Sequence, residues 1–137
     1  MGAIAIPQIS EVYVMDVSEK LEHRATKHCI CISAGNGRYV LINSEHREMY
    51  DDFEIKVSDY DFLKQDSYVG CAEAIVLEKK RIIKKVGSMK YEDMLKILEK
   101  IRKPKHIAKP NRAEMVLELE TWINNYQENK LRAFNNR

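Results

Sequence analysis

A chain of 137 residues, 45% hydrophobic and 32% charged, has the length for one domain around one core and the composition of a globular protein. Its 23 Lys and Arg against 21 Asp and Glu leave a net charge of +2, too small to indicate a polyanionic partner. No apolar run approaches the roughly 18 residues of a membrane span. The apolar start, residues 1–9, is short, lacks a basic flank and meets Pro7, so it makes a poor signal peptide and the expectation is a cytoplasmic protein.

The first predicted strand spans residues 11–17, where Val12 and Val14 alternate with Tyr13, Met15 and Val17. A charged stretch, 18–27, leads to an apolar, β-branched run over 28–33 that stops at Ala34-Gly35-Asn36-Gly37. Two glycines around an asparagine supply positive φ at low cost, which predicts a tight hairpin into 38–43. Past an acidic loop, Phe53-Glu54-Ile55-Lys56-Val57 alternates as a half-exposed strand, and 59–64 reads as a turn or helical bend. Residues 68–77 form a long segment whose Gly70, Ala72 and Ala74 suit a bent or bulged strand close to another backbone. Residues 81–86 then return antiparallel.

Ser88 is a candidate N-cap for a helix with Glu92 and Asp93 in its first turn and Tyr91, Met94, Leu95, Leu98 and Ile101 on one face. That helix stops before Pro104. Residues 104–110 read as a linker, separating a domain over 1–103 from a helical extension over 111–137. In the extension Asn111 and Glu114 have capping-box spacing, and Met115, Leu119, Trp122 and Tyr126 form a stripe that needs covering by the same chain or a partner; the polar tail beyond Gln127 is expected to fray.

The three cysteines, Cys29, Cys31 and Cys71, are odd in number and contain no CxxC spacing, which supports neither a disulfide framework nor a structural zinc; no metal and no cofactor are expected. Basic residues crowd 79–109 and acidic ones 48–66, an asymmetry able to steer an anion.

This order of strands, with Asp66-Ser67-Tyr68-Val69, Ala72-Glu73-Ala74-Ile75 and Ile83-Lys84-Lys85-Val86-Gly87 opening a helix, resembles the MazF/PemK family of toxin endoribonucleases over about residues 11–102. The resemblance implies an α+β, mainly β fold: a small Src-homology-3-like antiparallel barrel with a C-terminal helix, here with a helical extension. It also implies a homodimer, a cognate antitoxin protein and metal-independent cleavage of single-stranded RNA. The family places an arginine, then a proline and an apolar strand ending in serine; a second strand ends in an apolar residue, threonine and serine. This chain has Lys27-His28-Cys29-Ile30-Cys31-Ile32-Ser33 and Leu41-Ile42-Asn43-Ser44, so Lys27 replaces arginine and Asn43 replaces threonine. Lysine neutralises a phosphate as a point charge without a planar fork, and asparagine lacks the proton chemistry of a hydroxyl, which makes the neighbouring Ser44 the candidate for that role.

RNA cleavage through the 2′-hydroxyl needs a base, an acid and positive charge at the phosphorane. His28 and His46 lie near the two strand ends and titrate in the useful range. Arg24 and Arg47 flank them, and Lys79, Lys80 and Arg81 are candidates for phosphate-backbone contacts, with Tyr39, Tyr50, Tyr60 and Tyr68 able to stack bases if exposed. The non-catalytic alternatives are a barrel kept for protein interaction, with its last helix as docking element, and a nucleic-acid-binding accessory protein.

Overall fold

A computed structural model of the protein describes residues 6–21, 25–103 and 109–135. In chain order the elements are β1 (Glu11–Asp16), β2 (Thr26–Ser33), β3 (Arg38–Asn43), β4 (Asp52–Ile55), β5 (Ser67–Gly70), β6 (Ile75–Val76), β7 (Ile82–Ser88), α1 (Tyr91–Arg102) and α2 (Lys109–Asn135). Over the described residues the fold is α+β and mainly β, a seven-stranded antiparallel sheet with two helices.

Strands β1 to β3 are apolar on both faces because both faces are covered. Val12, Ile30, Ile32, Val40 and Ile42 look toward the helices, whereas Tyr13, Met15, Cys29, Cys31 and Tyr39 form a second core under Leu77 and Ile82. The β2–β3 hairpin turns at Ala34–Gly37 as expected, with only Gly37 at positive φ (61°). Glycine is required there twice over: a Cβ would also stand 2.8 Å from the carbonyl oxygen of Leu77, whose own N–H donates to the Gly37 carbonyl at 2.9 Å.

The sheet order is β4-β5-β3-β2-β1-β7, and this path does not close on itself. The bent segment expected over 68–77 consists of two strands, β5 and β6, both antiparallel to β3. Between them the chain leaves the ladder, and the amides of Cys71 and Ala72 both donate to the Tyr50 carbonyl at 2.9 Å. Two register shifts in the β1–β7 pairing add local twist at the other end of the sheet.

α1 buries Met94, Ile97, Leu98 and Ile101. Its cap differs from expectation: Ser88 still pairs with Glu11 in the sheet, and Lys90 occupies the cap position with no side-chain bond of its own. Tyr60 takes over that role, accepting the Lys90 N–H at 3.0 Å while its hydroxyl donates to Asp93 at 2.5 Å. α2 covers the helix-side core of its own chain with Met115, Leu119 and Ile123, and Tyr91, Trp122 and Tyr126 form a ring cluster at the α1–α2 seam.

The capping box does not form, because α2 starts at Lys109 and the side chains of Asn111 and Glu114 instead hold Arg38 at 3.3 and 3.2 Å. Pro110 therefore lies in the first turn of α2, where proline is tolerated, rather than in a linker; residues 104–108 lie outside the described set. Nor does the tail fray at Gln127: α2 continues to Asn135, exposed from Asn124 onward, with Leu131 and Phe134 facing solvent.

Candidate functional site

Alternation along β2 separates two sets of polar groups at one end of the sheet, because Lys27 and His28 are consecutive and point to opposite faces. On the face of the second core, Lys27 Nζ donates to Asn43 Oδ1 at 2.5 Å. A lysine can only donate, so the Asn43 carboxamide oxygen must face it and the amide nitrogen must face Gly70. A Cβ at residue 70 would come within 3.3 Å of that nitrogen, so glycine leaves the asparagine its space. Asn43 lies opposite Tyr68 and Tyr68 opposite Glu54, which extends one polar row across β2, β3, β5 and β4. The Tyr68 hydroxyl donates to Glu54 at 3.3 Å, and Lys56 closes on the other Glu54 oxygen at 2.6 Å.

His46 joins this row from the loop after β3. Its ring packs on Tyr68 with centroids 5.7 Å apart, and Nδ1 lies 2.5 Å from Asp52 Oδ1. The Asp52 side chain is 1% exposed while that of His46 is 56% exposed, so a buried carboxylate holds a solvent-facing imidazole. The second Asp52 oxygen accepts the backbone N–H of Arg47 at 3.2 Å, leaving the first for the histidine. A carboxylate acceptor at Nδ1 selects the tautomer protonated there and turns an unprotonated Nε2 outward, the form a general base requires.

Of the expected catalytic residues, Lys27, Asn43 and His46 thus gather on one face. Ser44 is an exposed bend residue beside Asn43. His28 lies on the opposite face, stacked on Phe62 at 5.7 Å and 23°. Partial burial, then the charges of Lys84, Lys64 and Lys27, push its imidazole below the ordinary histidine value.

A depressed native value means that the unfolded chain takes the proton first, so this contribution to stability is complete above the unfolded value near 6.5 and is lost as pH falls toward the native one. Melting curves between about pH 7 and about pH 5 should show wild type losing more stability than His28→Asn. Parallel losses would show that another group dominates the acid response.

Among the expected RNA contacts, the Arg47 guanidinium packs over Tyr50 with its carbon 5.9 Å from the ring centroid. Lys79, Lys80 and Arg81 form a 3-10 turn before β7. Arg81 is held by Asp16 at 3.3 Å and by Glu19, and Lys80 by Glu78 at 3.4 Å, so the run is largely neutralised by its own chain. Arg24 lies outside the described residues.

Sequence reasoning missed Asp52 as a partner of His46 and Tyr68 as its platform. A six-residue separation across a loop has no periodic signature, although an acidic residue opening the next strand was the one available signal. Among the described residues no group of three or more His, Cys, Asp and Glu is arranged to hold a metal ion, and no helix is long and apolar enough to cross a membrane. No family model matches the chain, and no curated protein proved similar to it.

Proposed function

We propose that the chain is a divergent MazF/PemK-type toxin endoribonuclease, that its coiled sheet is an open form of the Src-homology-3-like barrel, and that it cleaves single-stranded RNA at the His46 end. The observation that carries this reading is the His46–Asp52 pair, a half-exposed imidazole oriented by a buried carboxylate beside the Lys27–Asn43 contact. Outward-facing Nε2 of His46 takes the proton of the 2′-hydroxyl, whose oxygen attacks the adjacent phosphorus. The bond from phosphorus to the 5′-oxygen breaks, and that oxygen receives a proton from the Tyr68 hydroxyl. Burial, chiefly, keeps that hydroxyl protonated above its ordinary range. Lys27 supplies positive charge to the phosphorane as a point charge. A cognate antitoxin protein and a second copy of the chain are the protein partners this reading carries.

Incubating the purified protein with a long RNA in EDTA and mapping the new ends tests it. The expected result is a discrete set of cuts ending in 2′,3′-cyclic phosphate, slowed by Lys27→Ala. Intact RNA under these conditions, or cuts indifferent to both Lys27→Ala and His46→Ala, would overturn it.

A further inference from the structure

The helix-side face at the same sheet end carries a second polar constellation that the cleavage chemistry does not use. Three chain segments build it. Lys84 of β7 and His28 of β2 are both register partners of Val14 in β1, so the two side chains flank Val14 on one face. Strands lie about 4.8 Å apart, which separates the two backbones by roughly 10 Å, a span that a lysine stem largely crosses. The loop after β4 contributes Phe62, whose ring stacks on His28 on one side. On the other side Phe62 closes on Gly87, where a Cβ would lie 2.9 Å from the ring. Clamped between β2 and β7, Phe62 fixes the loop that presents Lys64 two residues on.

Other lysines on β7 and at α1 are paired with acids. Lys85, Lys90 and Lys100 each close on a carboxylate, Glu11, Asp59 and Asp51 respectively. Lys64 and Lys84 are exposed and belong to none of the ion pairs formed among the described residues. The charged groups acting on His28 are Lys84 and Lys64 from the two packed segments and Lys27 from its own strand, all cationic. A histidine flanked by Lys84 and Lys64, neither of them in an ion pair among the described residues, is an arrangement that an anion completes.

We propose that Lys64, Lys84 and His28 form a phosphate-binding subsite for a phosphodiester of single-stranded nucleic acid, whose chain continues over the strand ends toward Lys27 and His46. Lys27 on one face and Lys84 beside His28 on the other put cationic groups on both sides of the β2 start, so a backbone crossing that ridge meets positive charge on either side. Ammonium groups accept any phosphate orientation, which makes the subsite indifferent to sequence. The identity of the polyanion rests on the RNA reading above, whereas the subsite itself does not require cleavage.

Fluorescence anisotropy of a single-stranded DNA oligonucleotide, which lacks the 2′-hydroxyl and cannot be cut by this route, tests the subsite over a range of salt. Each phosphate contact contributes about 0.7 to the slope of log K against log salt, so Lys64→Ala with Lys84→Ala, which removes this one phosphate contact, should lower the slope by about 0.7. Lys103→Ala with Lys130→Ala, which removes two exposed lysines of the helical part, should leave it unchanged. Melting curves of both double variants establish that they fold. The His28 ring resonances should shift toward the protonated form on adding the oligonucleotide.

A wild-type slope in the Lys64/Lys84 double variant, or no binding by wild type, would overturn the proposal. A His28 shift with inorganic phosphate but none with the oligonucleotide would replace it with a small-anion site. A protein that binds with the expected slope dependence but never cuts RNA sinks the ribonuclease reading and leaves the subsite standing; RNA cleavage with an unchanged slope does the reverse.

Discussion

His46→Ala is expected to lower the rate of RNA cleavage on the order of 10²-fold or more, the usual effect of removing a general acid or base. Asp52→Asn should approach that loss although residue 52 touches no substrate. Both Asp52 oxygens are acceptors, one for the His46 ring and one for the Arg47 amide. An asparagine has a single oxygen. If its nitrogen faces Arg47 two donors collide, so the relaxed arrangement sets the nitrogen against His46 and leaves the ring protonated at Nε2, where the base is needed. In the proposed mechanism Asp52 acts as a positioning residue. Its signature is a fall in kcat with an altered pH–rate profile and with oligonucleotide affinity retained. Unaltered rates in both variants would remove the pair from the mechanism.

Leu119→Ala is expected to destabilise the fold by about 2–5 kcal/mol, lowering the melting temperature on the order of 10 °C. Leu119 is 0% exposed, packed with Met115 and Ile123 over the sheet of its own chain. Leu117, two residues earlier on the same helix, is 65% exposed, and Leu117→Ala should stay within about 0.5 kcal/mol. Since the stripe is covered intramolecularly, the Leu119 loss should be independent of protein concentration. Equal melting temperatures for the two variants would mean that α2 does not seal the core.

What the sequence made legible was set by periodicity and turn chemistry. The β2–β3 hairpin follows from alternation up to Gly37, and the stripe of α2 follows from spacings of three and four. The caps were not legible, because long-range partners displaced the local ones. Tyr60 reaches across 30 residues to the start of α1, and Arg38 across 76 to take Glu114 out of its capping box. At the candidate site, the Lys27–Asn43 contact was legible from hairpin register, since neighbouring strand ends must meet. The separation of Lys27 from His28 was also available, from strand alternation, but the resemblance grouped them by position instead. The buried state of Asp52 was beyond reach: in the sequence it is one acid among several in a loop, and only the fold distinguishes it.

The tie between the β2–β3 hairpin and α2, in which Asn36 donates to Glu114 and, across 82 residues, to Glu118, has a consequence for synthesis. At about 5–20 residues per second, a ribosome needs about 4–16 s to advance from the hairpin tip to the residue that fastens it. Throughout that interval Ile30, Ile32 and Val40 have no α2 above them, and a β-branched surface waiting for its cover is prone to self-association. The nascent chain therefore passes through a vulnerable window fixed by its topology, and chaperone demand should peak late, just before α2 emerges.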